Sequence, residues 1–100
     1  MPTQVPLPMS SSEAARILWA AGMRPDMVYV DASHDALDVL QDLEHFWFLL
    51  RCGGILYGDD YHWPQVRLAV DTFACQHNVS VETTRFNGNL KWIAAPKACW

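Results

Sequence analysis

The sequence predicts an α/β fold: a small sheet of two parallel strands with an antiparallel C-terminal hairpin at one side, and about three helices. Residues 26–31 and 55–59 are short apolar runs without polar alternation, the pattern of strands buried on both faces. The segment between them exceeds the roughly dozen residues a parallel crossover needs and repeats apolar side chains every three or four positions, so it reads as a crossover helix. Asn87-Gly88 then separates two further strand-like runs, the strongest short signal for a hairpin.

Taken in order, residues 1–9 hold Pro2, Pro6 and Pro8 and read as an extended lead-in; residues 10–100 read as one domain. Ser10-Ser11-Ser12-Glu13 forms a Ser-x-x-Glu capping box. Ala14, Ile17, Leu18 and Ala21 follow at helical spacing before Gly22 stops the helix, which predicts a helix over 11–21. Asp26 to Asp31 is the first strand. From Asp35 onward, Leu37, Leu40, Leu43, Trp47 and Leu50 mark the core face of a long helix closed by Gly53-Gly54. Ile55-Leu56-Tyr57-Gly58-Asp59 is the second strand. Trp63-Pro64 opens a third helix with proline in its first turn, and Val66, Ala69, Val70, Phe73 and Ala74 give it a core face. Val79 to Phe86 and Asn89 to Ala95 complete the hairpin. A parallel strand built for burial on both faces is seldom an edge strand. If residues 26–31 lie at an edge, something should cover them.

Composition narrows the function. One hundred residues with 51% hydrophobic and 18% charged side chains are richer in apolar surface and poorer in charge than an average domain at about 25% charged. Global disorder is excluded. A net charge of -4 argues against binding nucleic acid through phosphate contacts, which requires a basic face. No apolar run approaches the roughly 20 residues of a membrane-spanning helix, so a soluble cytoplasmic protein is expected. Cys52, Cys75 and Cys99 are odd in number and widely spaced, which predicts free thiols in a reducing compartment. Five tryptophans, four phenylalanines and three tyrosines leave more aromatic surface than so short a chain needs, which suggests that some of it meets another chain.

The chemistry concentrates at the carboxyl ends of the two parallel strands. Asp31 ends the first and Asp59 the second, and neighbouring strands about 4.8 Å apart would bring the two carboxylates together where open α/β sheets bind ligands. Asp60 adds a third. Three converging carboxylates repel one another unless a hard cation joins them, and oxygen ligands suit magnesium. His34 lies in the loop above the same edge, where an imidazole of pKa about 6.5 can serve as general base. The plainer alternatives are a capping or loop role for Asp31 and for His34. His45 and His77 read as solvated, His62 as a pocket neighbour, Trp63 as packing at a helix start, and Phe48 as a contact surface.

At these residues the sequence resembles the C-terminal half of a class I S-adenosylmethionine-dependent methyltransferase, in the branch of small-molecule O-methyltransferases that includes the macrocin type. The resemblance rests on Val28-Tyr29-Val30-Asp31-Ala32-Ser33-His34, Asp42-Leu43, the run Leu50-Arg51-Cys52-Gly53-Gly54-Ile55-Leu56-Tyr57-Gly58-Asp59-Asp60-Tyr61, and the run from Val66 to Phe73. It implies a partial Rossmann-like methyltransferase sheet holding the family's strands four, five, seven and six in that spatial order. It further implies Asp31, Asp59 and Asp60 as magnesium ligands and His34 as the base for an acceptor hydroxyl. The first acid of the pair is often Glu in such relatives, so Asp59 is a shorter arm, and Cys52 stands where proline is usual. The family's glycine-rich turn and ribose-gripping acid have no counterpart here, and the chain contains no Gly-x-Gly.

The expectation is therefore a half-domain that keeps a metal and base corner but neither binds S-adenosylmethionine nor methylates alone. A complementing N-terminal half would make it an O-methyltransferase subunit, and pairing of the exposed strand with a second copy would make it a homodimeric interaction module. Metal-dependent hydrolysis by the acidic corner is a third, weaker alternative.

Overall fold

The computed structural model describes residues 11–30 and 35–97. Helix α1 spans Ser11–Ala20, strand β1 Met27–Val30, helix α2 Ala36–Leu49, strand β2 Ile55–Gly58, helix α3 Pro64–His77, and strands β3 and β4 Val81–Phe86 and Asn89–Ala94. The four strands lie in the order β1-β2-β4-β3, with β1 parallel to β2 and the remaining pairs antiparallel. This is the predicted α/β fold, and the strand order agrees with the one implied by the resemblance.

Local chemistry explains the boundaries. Gly22, at φ +77°, takes the left-handed turn after α1, where its N–H donates to Trp19 O. Asp35 caps α2, its carboxylate accepting from Leu37 N at 2.9 Å. Pro64 sits in the first turn of α3, and Asn78 closes that helix in the left-handed region. The hairpin turns on Asn87 and Gly88, both at positive φ. Ser10 of the predicted capping box lies outside the described residues.

The core lies between one sheet face and the helices. Val30, Leu56, Trp92 and Ala94 project from the strands onto Val39, Leu43 and Trp47 of α2 and Val66, Val70 and Phe73 of α3. Trp47 meets Phe73 edge-on with ring centroids 5.1 Å apart. Each fully buried large side chain contributes roughly 1.5–3 kcal/mol, so this layer dominates the stability.

Four expectations need correction. Strand β1 is not buried on both faces: Val30 is buried, but Met27 and Tyr29 are exposed, because α2 and α3 pack on the other face of the sheet. Ile17 and Leu37 match the helical spacing yet face outward; among its described side chains α1 buries Ala14 and Ala15, and α2 buries Val39 instead. His77 is not simply solvated. Its ring packs on Phe73 and Trp47, and Nε2 pairs with Glu44 at 2.8 Å, which ties α3 to α2. Finally, Cys52 is disulfide-bonded, whereas Cys75 is free and exposed. Wide spacing misled here because the chain after β4 returns to the Gly-Gly turn: Gly53 N donates to Lys97 O and Lys97 N to Gly54 O. Cys52 is thus not the free thiol expected of a reducing compartment.

Candidate functional site

Sheet register builds the acidic corner. Gly58 stands opposite Trp92 in the antiparallel β2/β4 pair, so the next residue, Asp59, comes beside Lys91. Tyr29 is level with Tyr57 in the parallel pair and shares its face. The strand ends therefore bring a tyrosine, a carboxylate and an ammonium together on the face opposite the core. Lys91 Nζ donates to Asp59 Oδ1 at 2.5 Å, and Tyr29 Oη donates to Asp59 Oδ2 at 2.6 Å. Both carboxylate oxygens are engaged. The hydrogen bond from Lys91, then that from Tyr29, holds the Asp59 carboxyl below the ordinary carboxylate value despite some burial.

Asp60 turns away from this face at φ 63°. Its N–H donates to Asn89 Oδ1 at 3.0 Å, and Asn89 Nδ2 donates back to Asp60 Oδ1 at 2.8 Å. Tyr61 N donates to Leu90 O, which completes the docking of the β2–α3 turn on the hairpin end. Tyr61 Oη donates to Asp71 Oδ1, and desolvation first, then Asp71, raises the phenol above its usual value.

Of the predicted site residues, Asp59 and Asp60 are adjacent at the carboxyl edge but make separate contacts, while Asp31 and His34 lie outside the described residues. Among the described residues, no group of three or more His, Cys, Asp or Glu side chains converges to hold a metal. Among the described residues, the carboxylates of Asp59 and Asp60 already have protein partners. A divalent ion on Asp59 would have to displace the Lys91 ammonium or lie against it, and Asp60 is held in a reciprocal pair with an amide. His62 is exposed, with its ring edge-on to Trp63, and Trp63 packs against the core at the start of α3 as expected.

Tyr29, Lys91 and Asn89 were missed in the sequence. The signal was available: the Asn87-Gly88 hairpin pairs Asn89 with Phe86, and strand alternation then puts Lys91 on the face of Asp59 once β4 is placed beside β2.

Comparison with known proteins agrees with this architecture. The sequence model of the methyltransferase-domain family matches residues 4–61, more than half of the chain. The chain belongs to the methyltransferase-domain family. Among solved structures it is similar to an O-methyltransferase from Bacillus cereus in complex with SAH, at 14% identity and a TM-score of 0.59. That match covers 84% of this chain and 46% of the other, so the chain spans about half the length of this structural relative. No curated protein matches the chain. Among the described residues, no helix is long and apolar enough to cross a membrane.

Proposed function

We propose that this chain is the C-terminal half of an S-adenosylmethionine-dependent O-methyltransferase domain of the macrocin-type branch, active only when the N-terminal half of the sheet pairs along β1. The observation that supports this most is the condition of the two sheet edges. The outer strand β3 carries Glu82, Thr83, Thr84 and Arg85, all exposed, the charged and polar dress of an edge that meets water. Strand β1 is Met-Val-Tyr-Val, with no charge and with Met27 and Tyr29 exposed. It has the composition of an interior strand at an edge position. The structural relative, of which this chain covers 46%, has the length to supply a neighbour.

In the completed domain, bound S-adenosylmethionine would supply the methyl group. This chain's share is acceptor handling: His34 takes the proton of the acceptor hydroxyl, and Tyr29 and Lys91 hold the Asp59 carboxylate fixed at the carboxyl edge of the sheet. Isothermal titration of the chain alone with S-adenosylmethionine is expected to show no saturable binding, and co-expression with the segment encoded immediately upstream is expected to restore it. Micromolar binding by the chain alone would overturn the half-domain proposal. A discrete dimer in sedimentation, with β1 amides protected, would instead put a second copy on that edge.

A further inference from the structure

We propose that Lys91 is the resident cation of the acidic corner, so that Asp59 and Asp60 hold no divalent metal. The inference concerns side chains within this chain and stands whether or not the half-domain proposal holds. A pair of adjacent carboxylates at the carboxyl edge of a parallel sheet invites a hard cation, because unshielded anions repel and magnesium takes oxygen ligands with little tolerance for misplacement. Here the positive charge is covalently supplied. Lys91 lies next to Asp59 by strand register, and its ammonium is within 2.5 Å of Oδ1. The opposite oxygen accepts from Tyr29 at 2.6 Å, so neither oxygen of Asp59 is left without a donor.

Asp60 is kept out of a shared ligand set by its backbone. At φ 63° its carboxylate meets Asn89, whose amide both donates to the side chain at 2.8 Å and accepts from the main chain at 3.0 Å. A magnesium ion bridging the two aspartates would have to break the Lys91 pair, the Asn89 pair or both. Lys91 thus acts as a positioning residue: it holds Asp59 ionised and fixed without an exchangeable ion. The prediction for any chemistry at this corner is independence from added divalent cation.

The test uses manganese as a paramagnetic probe of carboxylate sites in the isolated chain. For the wild type, manganese up to about 1 mM is expected to leave the side-chain carboxyl and backbone signals of Asp59 and Asp60 no broader than those of exposed Asp38. In Lys91→Met the same signals are expected to broaden at a manganese concentration at least tenfold lower than in the wild type, and Lys91→Arg is expected to remain inert. Lys91→Gln serves as the neutral variant if Lys91→Met does not fold. Selective broadening at Asp59 and Asp60 in the wild type overturns the proposal. So does a folded neutral variant as inert as the wild type, because Lys91 would then not be what keeps the ion out.

Discussion

Gly58 lacks a side chain where Trp92 needs the room. A Cβ built there would lie 2.8 Å from the Trp92 indole and 2.8 Å from Val30 O, and Trp92 is fully buried. The ring belongs to the same buried core cluster as Leu56, Phe73 and Ala94, so it has little space to retreat. Gly58→Ala is therefore expected to destabilise the chain by roughly 1–3 kcal/mol through overpacking, read as a lower urea midpoint with unchanged slope. An unchanged midpoint would mean that Trp92 moves freely. Asp59 makes a second prediction at this scale. Its folded pKa lies below the unfolded value of about 3.9, so the stabilisation from Lys91 and Tyr29 is fully present above that pH and is lost as pH falls through the folded value. The stability difference between wild type and Lys91→Met, measured by urea unfolding, should be largest near pH 7 and shrink toward pH 3. A difference that grows on acidification would contradict the pairing.

At the scale of elements, the end of α2 shows how distant segments complete one another. Its last carbonyls lack helical partners, and Lys97, beyond β4, donates from Nζ to Leu50 O at 2.6 Å and to Phe48 O at 3.2 Å. Desolvation, with a smaller effect from Arg24, lowers the Lys97 pKa, so this cap is bought at some cost in solvation. Lys97→Met should lower stability by about 1 kcal/mol, with greater amide exchange in the last turn of α2. Thiol labelling of the unreduced, denatured chain should modify Cys75 but not Cys52, and Cys52 should become reactive after reduction; labelling of Cys52 before reduction would refute its disulfide. The elements themselves were legible because their signals are local. Asp35 caps the helix it precedes, Pro64 begins the next, and Asn87-Gly88 dictates its own turn. What was not legible depends on the partner element: Ile17 and Leu37 fit the helical period, but whether they are buried depends on where a neighbouring helix or sheet lies. The acidic corner was half legible for the same reason. Asp59 announces itself at a strand end, whereas Lys91 enters the site only through the placement of β4 beside β2.

The whole molecule has one finished side and one unfinished side. Helices α2 and α3 cover the sheet face that carries Val30, Leu56, Trp92 and Ala94, with α1 packed on α2, while Met27, Tyr29 and Ile93 are exposed on the opposite face. Part of the exposed apolar surface, Met27 and Tyr29, lies on the uncharged edge strand β1, while Trp19 of α1 and Phe48 of α2 form a second exposed pair on the helices. Stability resides in the finished side, so a charge placed on the open face should leave the fold intact. Met27, 45% exposed, is the cleanest position. Met27→Lys is expected to change unfolding stability by no more than about 0.5 kcal/mol. In the isolated chain, β1 amides directed away from β2 should exchange with solvent far faster than those of β2, which has strands on both sides. Adding the remaining half of the domain should slow the exchange of those β1 amides in the wild type, and Met27→Lys should weaken that protection at least tenfold in the concentration required. Equal protection of β1 and β2 in the monomeric chain alone would show that β1 is already covered, and the unfinished edge would cease to be the place where a second half joins.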